Sequence, residues 1–192
     1  MALRLALPLI ALALSAAAVH PPDRFVFEPS SRVWIEGTST VHDWECDVER
    51  FTGSFNADVA GGRFSTLSGT TFTALVGGID CDNGTMNGKL RDALAIRSHP
   101  SVQFTLADAT VGARGADGWF DVTASGRLTI AGTTRQVRIP VRAKALGADR
   151  FRLTGQVPLR MTDFGVDPPT AMLGTLKTGD RVTVHFDATA RR

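Results

Sequence analysis

Apolar and polar residues alternate with a period of two along most of this chain. The clearest case is Gly126–Val141. Leu128 and Ile130 alternate with Arg127 and Thr129, and Val137, Ile139 and Val141 alternate with Gln136, Arg138 and Pro140. A short Ala-Gly-Thr-Thr break separates the two runs, which predicts an antiparallel hairpin with one dry and one wet face. The same grammar predicts strands over Arg32–Gly37, Val41–Glu49, Phe51–Val59, Ser68–Ile79, Ser101–Thr110, Trp119–Ile130, Gln136–Leu146, Phe151–Leu159 and Arg181–Ala190. In Val41–Glu49, four acidic residues occupy one face; His42, Trp44, Cys46 and Val48 occupy the other, which predicts a buried face for the second set.

The period changes once. Met86, Leu90 and Leu94 recur at helical spacing, with Asp82, Asn83 or Thr85 available as caps and Pro100 as a stop. A short helical turn is expected at Ala171, Met172 and Leu173, after Pro168-Pro169. No strand–helix–strand rhythm or internal repeat is present, so a parallel sheet is not expected. The expectation is an all-β fold, an extended lipocalin-like antiparallel barrel of about eight strands with one helix and a short helical turn. Closure removes the exposed edges that such strands would otherwise leave. A two-sheet sandwich is the structural alternative.

Length and composition fit one domain: 192 residues, 43% hydrophobic and 21% charged, with 19 glycines and no tyrosine. Residues 1–18 read as a signal peptide, with Arg4 ahead of the apolar Leu5–Leu14 run and a small-residue cleavage site ending at Ala18. Residues 19–29 read as a Pro-containing lead-in and 30–192 as the barrel. A periplasmic or secreted protein is therefore expected. No later apolar run approaches the length of a membrane span, so stable membrane insertion is not expected. A net charge of +2 with scattered basic residues argues against nucleic acid as a partner. Homodimerisation is left open.

Cys46 and Cys81 form an even count in an exported chain, which favours a disulfide over two free thiols. Neither a G-x-S-x-G elbow nor an H-E-x-x-H motif occurs, so no catalytic residue, cofactor or metal is assigned. His42 and Cys46, four apart in a strand, would lie about 13 Å apart, too far to share one metal without a bulge. The inner faces offer Val33, Ile35, Trp44, Phe72, Phe104, Leu106, Leu128, Ile130, Leu153 and Phe186 as contacts for an apolar ligand, with Phe164 and Met172 in a segment that covers one end. The same residues would equally serve as a solid core. Lys89, Arg91 and Arg97 are candidates for an anionic head group.

Three segments, in order, resemble the YceI-like family. They are Lys89-Leu90-Arg91 through His99-Pro100-Ser101-Val102-Gln103-Phe104, the Gly126–Val137 hairpin, and Asp163-Phe164-Gly165-Val166 with the final alternating strand. The resemblance implies a lipocalin-like barrel that holds a polyisoprenoid or other lipid chain in an apolar tunnel. In place of the family's usual His-Leu-Gly turn near the N-terminus, this chain has Gly37-Thr38-Ser39-Thr40-Val41-His42-Asp43-Trp44. The expected function is an exported lipid carrier for a prenyl pyrophosphate, a quinone or a fatty chain. The alternative is a ligand-free secreted barrel acting through its surface in interaction or stress response.

Overall fold

A computed structural model describes residues 21–60, 63–171 and 175–192. The expected signal peptide and Met172 lie outside these residues. The wall is built from β1 (Asp23–Phe27), β2 (Arg32–Ser39), β3 (Trp44–Val48), β4 (Phe51–Ala60), β5 (Arg63–Leu75), β6 (Ile79–Asp80), β7 (Ser101–Arg114), β8 (Trp119–Ile130), β9 (Thr133–Ala145), β10 (Arg150–Arg160), β11 (Thr170–Ala171) and β12 (Leu176–Arg191). One α-helix, α1 (Gly84–Ala93), and two 3-10 turns, Val76–Gly78 and Thr162–Phe164, interrupt the strands.

Pairing is antiparallel throughout and the ring closes, giving the expected all-β barrel of eight strands. Several of the eight are bent and composite. Near its C-terminus β12 pairs with β1 (Phe27↔Ala190); earlier along its length it pairs with β2 (Val33↔Phe186). Similarly β4 pairs with β5 while β3 pairs with β6. Hydrogen bonds carry the wall across the bends, from Glu49 N to Gly78 O (2.8 Å) and from Leu75 N to Arg50 O (2.9 Å). β1/β2, β3/β4 and β5/β6 thus act as three long strands, and the barrel is long enough to have two distinct ends.

The β1/β4 end is packed solid. Phe25, Phe55 and Phe151 are essentially fully buried, with Phe25 stacked on Phe55 at 5.2 Å and edge-on to Phe151 at 5.1 Å. Phe64, Phe120, Val122, Leu153 and several alanines complete this cluster. The lead-in therefore contributes a wall strand carrying a central core residue. Its alternation of Arg24 and Val26 with Phe25 and Phe27 was masked by flanking prolines, which read as loop.

The β8–β9 hairpin is tighter than its sequence suggests. Ile130 pairs with Thr133, so the turn is only Ala131-Gly132, both at positive φ (46° and 79°), as a type I′ turn requires. Leu128 is buried, with Ile130, Val137 and Ile139 packed around its cluster, which places all four on one inner surface. The predicted strand at Val41–Glu49 starts only at Trp44. Ser39 explains the delay: its Oγ accepts from Val41 N and His42 N and donates to His42 O. A hydroxyl that satisfies these backbone groups locally replaces the ladder there and leaves His42 exposed.

Candidate functional site

At the other end the barrel is hollow. A cavity of about 760 Å³ lies among β2, β3, β5, β7, β12, α1 and the Thr162–Phe164 turn. Its size falls in the usual range for small-molecule sites. Val33 and Ile35 from β2, Val184 from β12, Phe72 and Ala74 from β5, and Val102 from β7 supply an apolar wall. Met86 and Leu90 of α1, with Leu94 as its C-cap, close one side, so the helical stripe read from sequence faces this space. Asn83 caps that helix by accepting from Met86 N at 3.0 Å.

A disulfide and three hydrogen bonds hold α1 over the cavity. Cys46 of β3 and Cys81, just ahead of the helix, form a disulfide. Asn87 reaches back, accepting from Cys81 N at 2.8 Å and donating to Asp80 Oδ1 at 2.7 Å. Lys89 Nζ donates to Thr170 O at 2.7 Å, tying the helix to β11. The cysteines are thus joined to each other, and His42 sits on an exposed turn.

The opposite side is closed by the segment carrying Asp163-Phe164-Gly165-Val166. Asp180 accepts from Thr162 N and Thr162 Oγ1, both at 2.9 Å, anchoring the start of the 3-10 turn. Gly165 ends it at φ 70°, in the left-handed region that glycine tolerates. Phe164 and Val166 are thereby driven inward, each only 3% exposed.

The candidate residues divide by register. Val33, Ile35, Trp44, Phe72, Ile130 and Phe164 line the cavity, as does Lys89 at its rim. Leu153 belongs to the solid end, Leu106 packs between that end and the Phe104/Leu128 cluster, and Phe104, Leu128 and Phe186 lie in the wall packing. Glycines explain two of these. The ring of Phe104 folds over Gly126, where an added Cβ would meet it at 2.7 Å, and the ring of Phe186 folds over Gly155, where the approach would be 2.4 Å. Both glycines occupy inward positions, so the aromatic rings lie flat along the wall instead of filling the lumen. Arg91 turns away from the cavity toward the Gly77 carbonyl, and Arg97 does not reach it. Arg160 and Lys177, which the sequence reading did not select, do line the rim. Each sits near an irregular chain reversal, where periodicity carries no signal.

Electrostatics supports the same framework. The Asn87 amide holds the Asp80 carboxyl below its ordinary value of 3.8, and the Thr162 N–H does so for Asp180. The Trp119 N–H lowers Asp117, and the Arg152 guanidinium lowers Asp187. A carboxyl whose folded value is depressed stabilises the fold above its unfolded value, and that contribution is lost as pH falls through the folded value. Thermal midpoints measured from pH 7 to 2 should therefore decline once pH drops below about 3.8. A midpoint that stays level or rises there would show that these carboxylates do not support the fold.

Among solved structures the chain is similar to BcnA of Burkholderia cenocepacia, with 18% identity, a TM-score of 0.65, and coverage of 83% of this chain and 95% of that one. It is also similar to a polyisoprenoid binding domain from Saccharophagus degradans implicated in plant cell wall breakdown (11% identity, TM-score 0.62, 87% and 97% covered). The YceI protein of Campylobacter jejuni follows at 15% identity and TM-score 0.60, with 77% and 84% covered. At these identities the likeness is one of fold. No curated protein matches in sequence. The YceI-like domain model matches residues 28–190, nearly the whole barrel and both segments that close its hollow end, and the chain therefore belongs to the YceI-like family.

Proposed function

We propose that this protein is an exported carrier that holds a long apolar chain, of the isoprenoid or fatty type, in the hollow end of its barrel. The observation that carries this reading is the apolar cavity of about 760 Å³ beside a fully packed opposite end. A chain of about 400 Å² of apolar surface would contribute roughly 10 kcal/mol on burial at about 25 cal/mol per Å², before the entropic cost of association. Such a ligand needs few polar contacts. Lys89, Arg160 and Lys177 at the rim are suited to an anionic or strongly polar head. The likeness to a polyisoprenoid binding domain supports the same ligand class. The leader-like residues 1–18 support export, and the Cys46–Cys81 disulfide accords with an oxidising compartment. None of the described helices is long and apolar enough to cross a membrane.

The test is native mass spectrometry and organic extraction of the full protein purified from its own exported fraction. A stoichiometric isoprenoid or fatty chain is expected. Val184 lines the cavity, and Val184→Trp should fill it, leaving a folded protein that no longer retains the lipid. Repeated purification without any bound chain, from wild type and variant alike, would overturn the carrier reading in favour of a barrel acting through its surface.

A further inference from the structure

The barrel wall has a seam. β9 and β10 pair only between Val141↔Gly155 and Ala145↔Phe151. Toward the hollow end each continues, but pairs only with its other neighbour: β9 with β8 as far as Thr133, and β10 with β12 as far as Arg160↔Arg181. Pro140 and Pro158 stand on the two sides of the opening and bring no backbone N–H to bridge it. The result is a cleft of about 580 Å³ at the gap in the wall, with Val137, Val157, Leu159 and Phe164 among its apolar lining.

Four arginines also line it: Arg135, Arg138, Arg160 and Arg181. Several arginines elsewhere on the outer wall are matched to acids. Arg32 pairs with Glu45 and Asp47, Arg142 with Asp117, Arg150 with Glu28, and Arg152 with Asp187. Among the described residues, none of the four seam arginines forms an ion pair. Arg135 donates from Nε to the Asp163 backbone carbonyl at 2.7 Å. Asp163 is the one acid in the lining. Asp180 feels the charge of Arg160, but its two oxygens are engaged by Thr162. Moreover Arg160 and Arg181 are direct cross-strand partners, an arrangement that like charges disfavour. A chain carrying only +2 overall thus concentrates unmatched guanidinium groups on one cleft.

We propose that this seam is a binding site for a phosphate-bearing anion, adjoining the apolar cavity across a shared partition. Guanidinium forks match phosphate oxygens in pairs, and an anion between Arg160 and Arg181 would turn a repulsive pair into a shared clamp. The apolar lining keeps water from one side of the site and strengthens the attraction. Leu159, Arg160 and Phe164 line both cleft and cavity, so they form the partition between them, and Arg160 stands at the edge of each. The phosphate is either that of a free phosphate or diphosphate, or the head group of an anionic phospholipid at a bilayer surface.

The experiment uses the full protein at physiological salt with two probes. Inorganic diphosphate is titrated while the thermal midpoint and calorimetric heat are read. Vesicles of phosphatidylglycerol, and of phosphatidylcholine as a neutral control, are used in co-sedimentation. The double variant R138Q/R181Q, whose two arginines line the cleft and not the cavity, is run beside wild type, and occupancy of the cavity is assayed separately by extraction. The expected result is binding of diphosphate or of phosphatidylglycerol vesicles that falls at least tenfold in R138Q/R181Q, while the unliganded variant, relieved of the Arg160–Arg181 repulsion, melts at or above the wild-type temperature. Diphosphate binding with vesicle indifference identifies a free anion; binding of anionic vesicles alone identifies a lipid head group. Failure of both probes, or equal binding by wild type and variant, overturns the site and leaves the cavity reading untouched.

Discussion

Phe151→Ala is expected to lower folding stability by about 3–5 kcal/mol, the usual range for deleting a buried aromatic ring. Phe151 has no exposed surface. Its ring stands edge-on to Phe25 at 5.1 Å and lies 5.3 Å from Phe64, so alanine would leave a void between β1, β5 and β10. These strands are also held in the ring by backbone ladders, which limits how far they can collapse into that void. For a chain of this size the loss corresponds to a fall of roughly 6–20 °C in melting temperature. Denaturant titration measures it directly. A loss below about 1 kcal/mol would mean that the solid end yields more readily than its packing indicates. Since Phe151 belongs to the packed end and does not line the cavity, surviving folded protein should retain whatever chain the wild type carries.

That separation of stability from binding follows from how the two ends are built. The β1/β4 end interdigitates phenylalanines with alanines, and Ala57, Ala143 and Ala190 are fully buried beside them. Small residues let the rings meet across the lumen. At the hollow end the inward positions are mostly aliphatic, and Phe104 and Phe186 are folded onto glycines of the wall. The lumen between them is then closed by separate pieces, α1 on one side and the Thr162–Phe164 turn on the other. Anchoring by side chains such as Asn87, Lys89 and Asp180, more than ring-on-ring packing, keeps those covers in place.

Alternation made the strands and the closed barrel legible, because each wall strand has one dry and one wet face whatever the curvature. It also identified α1, whose Met86 and Leu90, with the C-cap Leu94, face the cavity. It could not tell an empty inner face from a filled one. Leu153 and Val33 look alike in sequence, yet one packs among phenylalanines and the other faces open space. The difference depends on which end of a bent strand each occupies and on what stands across the lumen. Glycines carried a usable signal: an inward glycine beside a cross-strand aromatic, as at Gly155↔Phe186, marks a ring lying along the wall. Local hydroxyl chemistry at Ser39 and the prolines around β1 misled the reading, since both act below the scale of a periodic pattern.

Removing the disulfide tests whether the cover over the cavity is independent of the barrel. Cys46→Ala with Cys81→Ala is expected to cost about 4 kcal/mol on the chain-entropy model, given a sequence separation of 35 residues. Alanine is preferable to serine because Cys46 is 1% exposed and a hydroxyl there would lack a partner. The bond joins β3 to the residue from which Asn87 accepts a hydrogen bond, so its loss acts first on the start of α1. Helical packing on the cavity then rests on Met86, Leu90, Leu94 and the Lys89–Thr170 contact. Local opening of such an element requires less free energy than global unfolding. Hydrogen exchange in the double variant, and in chemically reduced wild type, should therefore accelerate over residues 81–94 while the β8–β9 ladder stays protected. A carrier whose cover opens in this way also loses its lipid faster. Uniform acceleration across the whole barrel would show instead that the bond stabilises only the global fold, and unchanged exchange at α1 would show that the helix is held without it.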